Sequence, residues 1–298
     1  MQSKLFFAFV IFISFVACKK TTHENVHENH VISGNQIPPY NSISTIQVHA
    51  YINRVYVDVL GREADSLELV NATNLLKNAN YTATSRDSMI SHVMNTKDFY
   101  TQLFIKTSAV VLNAISKQDI TDQINQDIYV QQLSVMTHDT VTANALAVEL
   151  DALKKLYVTD SLYHLKQIDI NEFYRRFIYN YFYDQINMGT HNFVVASFQN
   201  LFHRLPTTNE DAQSEAMVNG LSSNTLFLQN GNSKGDYVNI VTHCTNFYEG
   251  LISTAYLNYL LRKPTDTEVN TYVKQLSQTK DYLSLIKTIM KTSEYAGF

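Results

Sequence analysis

The sequence holds little of what punctuates or cross-links a chain. Eight Gly and four Pro among 298 residues are about a third of the usual share. That excludes collagen-like and Pro/Gly-rich disordered classes and argues against an all-β chain full of tight turns. Two Cys cannot form a disulfide framework or a four-Cys zinc site. Trp is absent, and 23 Lys and Arg against 27 Asp and Glu give a formal charge of −4. Nucleic acid, which asks for a basic surface, is therefore not an expected partner. No glycine-rich phosphate loop and no G-x-S-x-G elbow occurs. What is present is a chain that is 45% hydrophobic and rich in Tyr and Phe, with ample apolar surface for a core.

The first residues carry an address. Lys4 precedes the apolar run Leu5–Ala17, interrupted only by Ser14. The run is too short to span a bilayer and has the length of a signal-peptide core. It ends Val16-Ala17-Cys18, and a small residue before Cys at that place resembles a bacterial lipoprotein signal. Residues 1–17 are thus expected to be removed, leaving Cys18 acylated and the protein anchored to the outer membrane through its lipid. The other cysteine, Cys244, is expected on a helix as a small buried hydrophobe.

Residues 18–41 read as anchor and tether. The segment is polar, holds Pro38 and Pro39, and shows no apolar stripe. It contains a literal H-E-x-x-H, His23-Glu24-Asn25-Val26-His27, with His30 following. In zincins that motif sits on a buried helix, where the two His bind metal and the Glu acts as base. Here it repeats at once as His-Glu-Asn, which reads as low complexity. His23, His27 and His30 are weak metal candidates; no cofactor is expected.

The strongest signal is an internal repeat. Phe198, Arg204, Pro206, Thr207 and Glu210 recur at the same spacing as Tyr256, Arg262, Pro264, Thr265 and Glu268. A third copy stands at Tyr56, Arg62, Ala64, Asp65 and Glu68. A Thr or Asp with Glu three residues on is the signature of a capped helix start. Pro before the cap stops the preceding helix. Apolar residues at i, i+3 and i+4 precede each turn, as in Ile52, Val55, Tyr56 and Val59. Each copy is therefore expected to be helix, tight turn, helix. The Arg either pairs with the Glu of its own copy, suits the carbonyl end of its helix, or serves as an anion clamp. Short aromatic motifs, Asp98-Phe99-Tyr100, Glu172-Phe173-Tyr174, Asn246-Phe247-Tyr248 and Glu294-Tyr295, are expected in the core or, alternatively, as a platform for a planar ligand. Between the copies, Ala109, Val110, Leu112, Ala114 and Ile115 form one expected apolar face. Leu146, Val148, Leu150, Leu153, Leu156 and Tyr157 form another.

The unit L-x-R-x-P-T-x-x-E with a later acidic–aromatic motif resembles the domain of unknown function of large planctomycete envelope proteins. Leu260, Arg262, Pro264, Thr265, Glu268, Ser293, Glu294 and Tyr295 carry that likeness. Tyr56, Leu60, Gly61, Arg62 and Asp65 resemble the Y-x-x-x-L-G-R-x-x-D pattern of the phycobilisome-linker-like domain of secreted bacterial proteins. The resemblance spans roughly residues 45–105 and 190–298, implies a helical module, and transfers no catalytic residue. Haem chemistry is not implied, because C-x-x-C-H is absent. Asp followed by Ser66, Ser88, Thr140 or Ser161 and an apolar residue resembles the O-glycosylation sequon of Bacteroidota envelope proteins.

These observations predict an all-α chain of helix-turn-helix repeats in an irregular bundle or short array. An N-terminal helical region is expected over 42–168 and a C-terminal one over 169–298. The expected function is a non-enzymatic binding or scaffolding module of the cell envelope, with an envelope protein or glycan as partner. The alternatives are a metal-dependent hydrolase using the His-rich segment or another cleft, and a glycan-binding lipoprotein using its aromatic side chains.

Overall fold

Helices begin in this chain where a short polar side chain can take up the free N–H groups of a first turn. The computed structural model describes residues 43–298. Ser44 caps α1 (Thr45–Leu60), Asp65 caps α2 (Ser66–Asn78) and Thr82 caps α3 (Ala83–Met94). Then follow α4 (Lys97–Val111), α5 (Lys117–Met136), α6 (Thr140–Tyr157), α7 (Thr159–His164), α8 (Ile170–Ile178) and α9 (Tyr181–Ile186). The second half holds α10 (Thr190–Phe202), α11 (Thr208–Val218), α12 (Lys234–Val241), α13 (Thr245–Leu260), α14 (Asp266–Thr279), α15 (Tyr282–Met290) and α16 (Ser293–Ala296). The fold is all-α, as the low Pro and Gly content predicts. One small β-hairpin interrupts it, β1 (Asn224–Leu226) with β2 (Gln229–Gly231), which buries Leu226.

The three expected helix-turn-helix copies are α1–α2, α10–α11 and α13–α14. Scarce glycine shows at their turns. Gly61 ends α1 in the left-handed conformation, whereas His203 and Leu261 hold it after α10 and α13, at φ 55° and 56°. A non-Gly residue there costs about 1–2 kcal/mol, which the cap and ion pair beyond each turn must offset.

The copies do not stack as an open row. The first meets the last and the helices that follow it: Arg54 donates to Tyr259 O of α13 at 2.5 Å and to Tyr295 O of α16 at 2.9 Å, and Tyr51 Oη donates to Met290 O of α15 at 3.3 Å. Tyr295 Oη returns a bond to Asp58 Oδ2 at 2.6 Å. The core between them is aliphatic and aromatic, with Ile52, Val55 and Val59 of α1, Ile252 and Ala255 of α13, and Ile286 and Ile289 of α15 fully buried. Ile43–Phe298 forms one unit. Where α13 crosses α10, Gly250 lets the backbones meet; a Cβ there would stand 1.8 Å from Leu201 O.

Two expected apolar faces are corrected. In α4 the buried stripe is Phe99, Tyr100, Phe104, Thr107, Ser108 and Val111, spaced as a helix demands; of the expected face Leu112 is buried and Ile115 packs on the core, while Ala109, Val110 and Ala114 are exposed. In α6 the buried side is Leu150, Leu153 and Leu156; Val148 and Tyr157 face outward. Helix α5 packs chiefly on α6, so that hairpin needs only a narrow seam. No helix among the described residues is long and apolar enough to cross a membrane.

Candidate functional site

The repeat residues build the same device three times. Arg62 reaches Glu68 with two nitrogens at 2.7 and 2.8 Å; Arg204 reaches Glu210 at 2.7 and 2.7 Å; Arg262 reaches Glu268 at 2.9 and 2.8 Å. Each Glu also accepts the backbone N–H of its cap residue, Asp65, Thr207 or Thr265, at 2.7–2.8 Å. The cap side chain in turn accepts from the Glu N–H, completing a capping box. Bidentate pairing fixes the guanidinium plane, and each Arg spends a further N–H on the carbonyl of the next residue. The guanidinium lies over the aromatic six residues earlier, 5.7 Å from Tyr56, 5.1 Å from Phe198 and 4.9 Å from Tyr256. That contact explains the aromatic-to-Arg spacing, which the sequence displayed without a reason. Arg262 also holds Glu294 of the last aromatic motif at 2.6 Å. Bonding to Arg204 and Arg262 holds the Glu210 and Glu268 carboxyls down to about 2.

Pro206 and Pro264 stand just before Thr207 and Thr265, in the turn rather than in a helix. The aromatic motifs open α4, α8, α13 and α16. Phe99, Tyr100, Phe173, Phe247, Tyr248 and Tyr295 are buried, as core residues would be. Cys18, His23, His27 and His30 lie outside the described residues. Cys244 is buried, but it sits in the turn before α13 as its cap position, not within a helix. Burial pushes its thiol up to about 12, which makes it inert at neutral pH. Of the Asp-Ser/Thr sites, Ser66 and Thr140 are exposed first residues of α2 and α6, Ser88 is exposed within α3, and Ser161 is half-buried in α7.

A cavity of about 450 Å³ opens between the end of α3, the start of α4, the α7–α8 turn and the α14–α15 turn. Its two turns share one construction. Lys166 and Lys280 adopt φ +56° after α7 and α14, and Asp169 and Asp281 then cap α8 and α15. Asp169 accepts Glu172 N at 2.9 Å and faces Lys280 Nζ at 3.1 Å. Asp281 accepts Ser284 N at 2.9 Å. Lys287 reaches Ser91 Oγ at 3.3 Å. The floor is Tyr100 and Tyr163, rings edge to face at 5.7 Å. Burial first, and then the Asp281 charge, raises both phenols, so they stay protonated at neutral pH. Phenol O–H groups and lysine ammoniums around one polar hollow suit a small hydroxylated or anionic molecule. Of the motifs read from the sequence only Asp98-Phe99-Tyr100 reaches here, through Tyr100, because the rest of the lining comes from elements far apart along the chain. The one faint signal was Lys ahead of an Asp cap, in Lys166-Gln-Ile-Asp169 and Lys280-Asp281.

A second unusual group lies on the α5–α6 hairpin. The Asp127 carboxylate is buried and accepts from Gln123 at 2.7 Å. Burial, and then Asp127 beside it, pushes the Glu149 carboxyl up to about 7.

Compared with models of known families, with curated proteins and with solved structures, the chain matches none.

Proposed function

We propose that the protein is a lipid-anchored, non-enzymatic binding or scaffolding module of the bacterial outer membrane, held by an acylated Cys18, with the cavity between the α3–α4, α7–α8 and α14–α15 junctions as its ligand seat. The observation that carries the binding part is the meeting of Tyr100, Tyr163, Lys166 and Lys287 around one hollow. The repeated arginines are occupied by their own glutamates and leave the binding to that hollow. An acidic sugar supplies both the hydroxyls and the charge these groups call for, which favours a glycan as ligand. The anchor rests on the signal-like run ending at Cys18.

Two measurements test this. Cys18→Ser should move the protein from the membrane to the aqueous fraction; unchanged retention refutes the anchor. Titration with a uronic-acid disaccharide should show saturable binding that Tyr163→Phe and Lys166→Ala each weaken about tenfold, which is ~1.4 kcal/mol. Absence of saturable binding, or binding indifferent to both changes, refutes the glycan seat.

A further inference from the structure

The second copy departs from its siblings on one face of α11. Aligned on the clamp arginines, Asp211 stands where the other copies have Leu69 and Val269, and Glu215 where they have Thr73 and Val273. Leu69, Val269 and Val273 pack against the core, so the repeat itself has no need of charge at these places. In the second copy the two carboxylates, one helical turn apart, face His191 in the first turn of α10. His191 Nδ1 lies 2.8 Å from Glu215 Oε1 and 3.2 Å from Asp211 Oδ2. One donor atom from each of the three side chains lies within 4.8 Å of the others. Asp211 Oδ1 is buried and has no hydrogen-bond partner, a costly state for a carboxylate unless a cation compensates it.

The frame around these groups is rigid. Thr190 Oγ1 donates to Asn219 Oδ1 at 2.6 Å, tying the start of α10 to the end of α11. The Arg204–Glu210 pair fixes the first turn of α11 beside Asp211. An ion with tetrahedral bonds of about 2.0–2.1 Å holds its donors about 3.3 Å apart. The 3.2 Å separation to Asp211 is close to that, and the 2.8 Å hydrogen bond to Glu215 has to open by about 0.5 Å.

We infer that His191, Asp211 and Glu215 form a divalent-metal site that takes Zn²⁺. One imidazole and two carboxylates are a zinc donor set, and three protein ligands leave a position for water or a ligand oxygen. The site is separate from the cavity floored by Tyr100 and Tyr163 and does not depend on its ligand.

The test is calorimetric titration of ZnCl₂ into the full chain in detergent, carrying His23→Ala, His27→Ala and His30→Ala to silence the His-rich segment. One ion per chain should bind and raise the melting temperature. His191→Ala and Asp211→Asn should each weaken binding at least about tenfold. Asp211→Leu, which restores the first copy's residue, should abolish the zinc-dependent rise while leaving the zinc-free melt as high as that of the parent or higher. No saturable binding below millimolar zinc overturns the inference, as does binding that survives both His191→Ala and Asp211→Leu.

Discussion

Replacing the clamp glutamates with glutamine, one copy at a time, probes one chemical pair in three settings. Each Glu accepts two Arg N–H groups and one backbone N–H. Gln keeps a single carbonyl oxygen and no charge, so at least one charge-assisted bond is lost in every copy. Such bonds contribute ~1.5–3 kcal/mol where shielded and ~0.2–1 kcal/mol where exposed. Glu210 is 18% exposed, against 27% for Glu268 and 28% for Glu68, and Arg62 is the most exposed of the arginines. Arg262 has a second carboxylate in Glu294 at 2.6 Å and keeps a partner when Glu268 is changed. The expected losses are therefore ~2 kcal/mol for Glu210→Gln and ~0.5–1 kcal/mol for Glu268→Gln and Glu68→Gln. Urea unfolding at pH 7 followed by circular dichroism would read these as lower midpoints at constant slope. The pH dependence has a fixed sign. Arg204 holds Glu210 at about 2, below its ordinary 4.5, so the pair's contribution is complete above 4.5 and disappears as pH falls through about 2. The gap between parent and Glu210→Gln should close over that window. Equal losses in the three copies, or a gap that persists at pH 2, would refute the reasoning.

Thr265→Ala should cost ~0.5–2 kcal/mol and Thr265→Asp less than ~0.5 kcal/mol in thermal melts, because Asp65 makes the same cap in the first copy. Gly250→Ala should cost at least ~3 kcal/mol or prevent soluble expression, since its Cβ would meet Leu201 O at 1.8 Å; a native-like melt would show that α10 and α13 can separate freely. Glu149→Gln tests the pair with Asp127. A carboxyl raised to about 7 in the folded chain makes stability fall as pH rises from 4.5 to 7. The Gln variant should match the parent near pH 4 and exceed it by ~1–2 kcal/mol at pH 8 after screening, as measured by melts at the two pH values.

Events local to a few residues were legible in the chain. Helix starts were legible because a cap is a contact within four residues: Asp65 with Glu68, Thr207 with Glu210 and Thr265 with Glu268 all reappear as capping boxes. The Arg–Glu pairs were legible for the same reason, with six residues and one turn between partners. The helical class followed from the scarcity of Gly and Pro together with the i, i+3, i+4 spacing. Tertiary structure alone decided which apolar residues are core. Val110 and Val148 have the composition of core residues but are exposed, because a helix with one or two neighbours buries only a narrow stripe. It also decided that the first and last copies meet, since Arg54 reaches Tyr259 across 205 positions. The cavity over Tyr100 and Tyr163 and the His191–Asp211–Glu215 cluster belong to that same level. Their side chains come from separate helices and turns, and no spacing along the chain records a proximity that only the packing of those elements creates.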